Sequence, residues 1–214
     1  MERPTENRGK AVTISRQMGS GGTYIGYQVA KTLGFSYVDR EILRRAASLL
    51  KRDTVSLEEC EETSSGLIRN LLRELAFAPE TAAYMPGERP VYDGDLFVLE
   101  GEIIKAMVDR HNAVIMGHGG FYLLKDRPGT VHLFIYAPRD YRVERVMKAH
   151  GTANVREAQD MVDESDRRRS KLIRDIVGRE WADARNYHLC IDSGILGLSE
   201  SVRMVIRFLE TTLP

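Results

Sequence analysis

Cysteine is scarce in this 214-residue chain: Cys60 and Cys190 are too few for a disulfide framework and lack any metal-ligand spacing. Net charge is also missing, because 31 lysines and arginines balance 31 aspartates and glutamates. A polyanion would meet no excess of positive charge, so nucleic acid is not an expected partner. No stretch reaches the ~18 consecutive apolar residues of a membrane span, so no membrane association is expected. The polar start MERPTENRGK has no hydrophobic h-region, and no secretory signal is expected there. These features together point to a reducing compartment and a cytoplasmic protein. His111, His132, His150 and His188 are scattered without acidic neighbours in a ligand pattern, so no metal site built from protein ligands alone is expected. No G-x-S-x-G elbow, H-E-x-x-H helix or GxGxxG turn occurs, which removes hydrolase, zinc-protease and dehydrogenase readings.

What the chain does contain is apolar material, 43% of its residues, enough for a sizeable core and too much for disorder. Its length fits one domain, with room for an inserted lid. Five short β-branched or aromatic segments are bounded by glycine, proline or charge: Ala11–Ser15, Phe35–Val38, Ala113–Met116, Val131–Tyr136 and His188–Ile191. They mostly do not alternate apolar with polar residues, as expected for strands buried on both faces of a parallel sheet. Helical spacing lies between them. Ile25, Val29 and Leu33 share one face, as do Leu96, Leu99, Ile103 and Met107, and Val202, Val205, Ile206 and Leu209 repeat the pattern after a start at Ser199. The alternation predicts an α/β domain with a parallel sheet. Two excursions interrupt it. Residues 40–110 contain no convincing strand and surround a Pro/Gly-rich loop, Pro79–Pro90; residues 154–185 read as a long polar helix and a loop. Asn154 followed by Glu157 predicts a capping box at that helix start.

The first strand runs into Arg16-Gln17-Met18-Gly19-Ser20-Gly21-Gly22-Thr23 and then a helix. A strand, a glycine-rich turn and a helix N-terminus make an anion site, since backbone N–H groups converge and the helix dipole favours negative charge. A plain tight βα turn would need only one or two of these glycines. Against the Walker A pattern GxxxxGK[ST], Gly21 falls on the second glycine and Thr23 on the residue that holds Mg²⁺. Arg16 replaces the first glycine, and Gly22 replaces the lysine that reaches the β- and γ-phosphates. Arg16 has two readings: a cation folded back over the loop in the lysine's stead, or a surface cation that only closes the turn.

The stretch VTISRQMGSGGTYIGYQVAKTLGFSYVDREIL resembles the start of the cytidylate kinase-like family of P-loop nucleoside monophosphate kinases, and the resemblance extends over most of residues 11–212. It implies a three-layer P-loop NTPase fold: a five-stranded parallel sheet with a helical acceptor-binding insert (40–110) and a short lid with its return segment (154–185), all within one domain, 1–214. The family's ISR-x-x-GSGG loop makes the absent lysine a shared trait. Family motifs then match in order. Asp39 and Arg45 fall on the ends of D-S-G-A-x-Y-R, which builds the acceptor site; a helix surface with a Glu41–Arg45 pair is the plainer alternative. Gly117-His118-Gly119-Gly120 falls where relatives carry G-R-D or G-R-G, making His118 a candidate acceptor contact or a packed turn residue. Asp163, Asp166 and Arg169 match R-D-x-x-D-x-x-R of the lid, with Val162 in place of the first arginine.

Arg167, Arg168, Arg169, Lys171 and Arg174 crowd this segment. Either they close over a transferring phosphoryl group, or they belong to a solvated helix laced by Asp163–Arg167 and Glu164–Arg168 pairs. Asp192 of Cys190-Ile191-Asp192-Ser193, resembling V-L-D-S, reads as structural, and Trp181 of Gly178-Arg179-Glu180-Trp181 as a packing anchor. Tyr84, Arg89 and Tyr92 read as loop packing in preference to base stacking. The resemblance implies an ATP- and Mg²⁺-dependent kinase of a small nucleotide, CMP or dCMP. Gly19, Ser20, Gly21, Gly22 and Thr23 would hold the donor, Thr23 the metal, Asp39, Arg45 and His118 the acceptor, and Arg16, Arg167 and Arg169 the transition-state charge. Two alternatives stand beside it: a nucleotide-binding sensor that lost its chemistry, motivated by neutral Gly22, His118 and Val162, and a kinase of another small phosphate acceptor. A homo-oligomer is left open.

Overall fold

The computed structural model describes residues 9–40, 43 and 94–213, with side chains from residue 97 onward in the helix that opens the second stretch. Arg45, Tyr84, Arg89, Tyr92 and most of the expected insert lie outside the described residues. Five strands form one parallel sheet in the order β2-β3-β1-β4-β5. They are β1 (Ala11–Arg16), β2 (Ser36–Val38), β3 (Ala113–Met116), β4 (Thr130–Tyr136) and β5 (Leu189–Asp192). Each expected strand is present to within a residue or two at its ends. The helices are α1 (Gly22–Leu33), α2 (Gly94–Arg110), α3 (Gly120–Leu123), α4 (Arg139–His150), α5 (Val155–Val177), α6 (Ser193–Leu196) and α7 (Leu198–Thr212). Among the described residues no helix is long and apolar enough to cross a membrane.

Period-two alternation sends the two sides of each strand into different cores. Val12 and Ile14 of β1 pack with Ile25 and Val29 of α1 and with Val205 and Leu209 of α7. Ala11, Val38 and Ile115 pack with Ile103, Ile104 and Met107 of α2. Helices on both faces explain why the strands read as nearly continuous apolar runs. Each fully buried leucine or isoleucine contributes roughly 1.5–3 kcal/mol. Helix α1 presses onto the sheet through Gly26, where a Cβ would stand 2.4 Å from the Met116 sulfur.

The helix ends follow local chemistry. Asn154 caps α5, its Oδ1 accepting from Glu157 N at 3.2 Å. The reciprocal arm of the capping box is absent: Glu157 accepts from Thr152 Oγ1 at 3.0 Å, and Thr152 in turn accepts from Asn154 N. Asp192 ends β5 by capping α6, accepting from Gly194 N and Ile195 N, a structural part as expected. Ser199 is not the start of α7. The helix begins one residue earlier, at Leu198, after Gly197 at φ 74° and ψ 164°, a backbone conformation open essentially to glycine alone. Trp181 is buried, with its ring edge-on to Phe134 at 5.3 Å.

One buried titratable group lies within the sheet. His132 on β4 is 4% exposed, its Nδ1 2.8 Å from Thr13 Oγ1, and its ring stacks on His188. His132 N donates to His188 Nδ1 at 3.0 Å. Burial, reinforced by His188, pushes the His132 pKa down to about 4.

Candidate functional site

The glycine-rich turn spans Gln17 to Gly21, between β1 and α1, at the carboxyl edge of the sheet. Gly19 and Gly21 are left-handed, at φ 81° and 79°, and neither has room for a side chain. A Cβ on Gly19 would meet the Arg142 carbonyl oxygen at 2.5 Å, and one on Gly21 would meet Leu198 Cδ2 at 2.3 Å. The turn is therefore wedged between α4 and the start of α7.

Its carbonyls are all engaged, by side chains of α4, α5 and α6 or by the turn and α1 themselves. Arg16 O accepts from Arg169 Nη1 at 3.2 Å, Gln17 O from Ser20 Oγ at 2.8 Å, and Met18 O from Arg142 Nη1 at 3.2 Å. Gly19 O accepts from Arg145 Nε at 3.0 Å, Ser20 O from Ser193 Oγ at 2.6 Å, and Gly21 O from Ile25 N at 3.0 Å. The N–H groups of Gly19, Gly21, Gly22 and Thr23 meet no acceptor among the described residues. With the carbonyls turned out, these donors are left at the N-terminus of α1, an arrangement that takes an anion.

The wall is held by α5. Arg142 is buried, donating from Nε to Ala137 O and from Nη1 to Asp166 Oδ2 at 2.6 Å. Asp166 also accepts from Met18 N at 3.1 Å, joining α5, α4 and the loop in one carboxylate. Asp163 accepts from Nε and Nη2 of Arg139, at 3.0 and 2.7 Å, which holds its carboxyl below the usual range. The expected Asp163–Arg167 pair gives way to this α4–α5 bridge, whereas the expected Glu164–Arg168 pair forms at 2.6 Å. Val162 is fully buried among Met18, Val143, Val146 and Ala158, so this position of the motif packs instead of carrying charge.

The expected site residues therefore separate. Arg16, Gly19, Ser20, Gly21, Gly22 and Thr23 gather at the loop, and Arg169 reaches it, with its guanidinium 6.0 Å from the Trp181 ring. Thr23 is exposed on the first turn of α1. Arg167 is exposed and paired with Glu164, on the opposite side of α5 from Arg169. Asp39 follows β2. Burial pushes the nearby Tyr37 hydroxyl well above its usual value; Asp39 adds to the rise and Arg16 opposes it. His118 follows β3 at φ 54°, with its ring buried and its Nδ1 2.9 Å from Glu100 Oε2 of α2. Among the described residues its hydrogen bond thus goes to a carboxylate of the protein.

The sequence reading missed Arg139, Arg142, Arg145 and Ser193. Arg142 left a signal: it is one charge on the apolar row of Val143, Val146 and Met147, where only an internally paired arginine is stable. Ser193 left none, because its two acceptors, Ser20 O and Tyr136 O, are distant in sequence.

The sequence model of the cytidylate kinase-like family matches residues 11–195. No curated protein gives a significant match. Among solved structures, the chain superposes on an uncharacterized protein from Eubacterium ventriosum with TM-score 0.68 and 20% identity, covering 94% of this chain and 99% of that one. A gluconokinase from Sinorhizobium meliloti superposes with TM-score 0.52 and 15% identity over 95% and 93% of the two chains. A shikimate kinase from Bacteroides thetaiotaomicron gives 0.50 and 13% over 94% and 98%. At these identities the likeness concerns the fold, which is that of the P-loop kinases. With the family match spanning most of its length, this chain belongs to the cytidylate kinase-like family.

Proposed function

We propose that this protein is a phosphotransferase that moves the γ-phosphoryl group of ATP to a nucleoside monophosphate, CMP or dCMP, with Mg²⁺. The observation that carries this reading is the loop itself. Four of its carbonyls, Arg16, Met18, Gly19 and Ser20, are engaged by side chains of α5, α4 and α6, those of Gln17 and Gly21 are bonded within the turn and by α1, and the N–H groups of Gly19, Gly21, Gly22 and Thr23 are left for an anion. Such a preset cradle binds donor phosphates without reorganising when charge shifts in the transition state.

Thr23 and the phosphates suit Mg²⁺, which prefers hard oxygens and retains several waters. Among the described residues no group of His, Cys, Asp or Glu could hold a metal unaided, so the ion would arrive with the nucleotide. When bound, it would neutralise developing charge on the phosphate oxygens. Arg169, anchored to Arg16 O and set against Trp181, presents its charge at the loop's rim and helps exclude water. Asp39 and Arg45 would position the acceptor, and His118, oriented by Glu100, would shape the turn beside it. Arg167, solvated in this arrangement, would act only if the lid segment 154–185 moves onto the nucleotide.

A sensor without turnover is the second reading, and buried Val162 with side-chain-free Gly22 favours it. A different small acceptor is the third, since this fold also serves proteins named as gluconokinase and shikimate kinase. ADP release from Mg·ATP over a panel of nucleoside monophosphates and small polyols, with a no-acceptor control, separates the three. Selective turnover with CMP or dCMP is expected. ATP binding with silence across the panel would select the sensor, and turnover on a non-nucleotide would select the third reading.

A further inference from the structure

Position 22 is where the Walker pattern puts its lysine, and here no side chain fits. A Cβ on Gly22 would stand 2.5 Å from the Arg16 Cβ and 3.0 Å from its Cγ, with Ile135 Cβ at 3.3 Å. The space belongs to the stem of Arg16, which leaves the end of β1 on the same side as Val12 and Ile14 and runs beneath the first turn of α1. The other end of the side chain is as tight. Arg16 Nη1 would be 2.4 Å from a Cβ on Gly117, a residue already left-handed at φ 82°. Glycines thus flank the arginine at both ends, and its guanidinium, buried at Nε, lies with Nη1 against the turn after β3, at the carboxyl edge of the sheet. Ligands of open α/β sheets bind along that edge.

We propose that Arg16 and Gly22 are an exchanged pair, in which an arginine from the strand supplies the cation for the terminal phosphate of a nucleoside triphosphate that the Walker pattern takes from the helix. The exchange accounts for two departures from the pattern at once. It requires the residue at 22 to be glycine because Arg16 is there, and it makes a lysine at 22 incompatible with Arg16. An arginine suits the longer path, since its planar fork stays charged near neutral pH and can bridge two phosphate oxygens. The influence of Arg16 on the Tyr37 hydroxyl is consistent with a charge directed toward β3 and β2, where the acceptor would meet the donor. The proposal rests on the kinase reading for its ligand, but its steric half does not.

The test uses the full chain, Arg16→Gln, Gly22→Lys and the double variant R16G/G22K, with thermal midpoints and calorimetric titration of Mg·ATP and Mg·ADP. Loss of a charged hydrogen-bond donor should weaken ATP by about tenfold more than ADP in Arg16→Gln. Gly22→Lys should lower the thermal midpoint and abolish ATP preference, and R16G/G22K should recover both. Equal weakening of ATP and ADP in Arg16→Gln would overturn the phosphate contact, even if Gly22→Lys fails to fold. A Gly22→Lys protein as stable as the parent would overturn the exchange. Wild-type protein that binds neither nucleotide would remove the kinase reading and the phosphate role together, whereas binding with an unaltered ATP-to-ADP ratio in Arg16→Gln removes this proposal alone.

Discussion

Helix α5 carries charge on two sides, and the two sides do different work. Toward α4 and the loop, Asp166 and Arg142 pair with side chains only 18% and 7% exposed, and the carboxylate also takes a backbone N–H of the loop. Toward solvent, Arg167 and Lys171 are 70% and 73% exposed, paired with Glu164 and Asp175 one turn away. Both are pairs of a base with a carboxylate, the inner one joining two helices and the outer ones staying within one. What differs is desolvation, which makes an intact inner pair worth little by itself but its half-removal costly. Exposed pairs are screened and cost little either way.

The comparison is broken most sharply by Asp166→Ala. It strands the buried Arg142 charge and frees Met18 N, so the protein should lose about 3 kcal/mol in chemical denaturation. ATP affinity should fall with it, because the Met18 and Gly19 carbonyls lose their fixed wall. An effect below the range of a surface pair would erase the distinction between the two sides.

Arg169→Ala comes next. Turnover should drop about 100-fold with a much smaller change in ATP affinity, as for other lost transition-state donors. Equal loss in both would make Arg169 a loop clamp only. Unchanged turnover would remove the residue from the site.

The buried His132 gives a smaller, pH-dependent effect. Its folded pKa, about 4, lies below the ordinary value of 6.5, so the fold is favoured by its neutral form. That contribution is complete above pH 6.5 and is lost as pH falls toward 4. Stability should decline across this window by up to about 1.4 kcal/mol per pH unit from this one group. In His132→Phe the slope between pH 6.5 and 4.5 should flatten by that amount, while carboxylate titration below remains. An unchanged slope would mean that His132 is accessible to protons in the fold.

Least of all, Lys171→Ala and Arg168→Ala should each shift stability by less than about 0.5 kcal/mol, and less still at high salt. Larger shifts would mean that the outer row makes contacts beyond its helix.

The strands were legible because burial on both faces leaves a nearly continuous apolar run, as in Ala113–Met116 and, His132 apart, Val131–Tyr136. The glycine turn was legible because left-handed backbone at Gly19 and Gly21 restricts residue choice. The Asp163–Arg139 bridge was hidden: spacing within one helix pointed to Arg167, and only tertiary approach of α4 offers the better, two-nitrogen partner. His118 read as an acceptor contact or a packed turn residue from its place after β3, and nothing local disclosed that Glu100 of α2 would engage its ring. The exclusion of a side chain at Gly22 by Arg16 was equally invisible, since it depends on how a strand end meets a helix start. Patterns of one element can be read from sequence, whereas pairings between elements depend on packing.

The most direct test of the donor site is an amide-resolved NMR titration of the protein with Mg·ATP. The outward carbonyls and the remaining N–H groups predict that the largest shifts fall on Gly19, Gly21, Gly22 and Thr23, with smaller ones at Gly117. Saturable binding with those amides unmoved, or no binding at all, would contradict the assignment of this loop as the phosphate cradle.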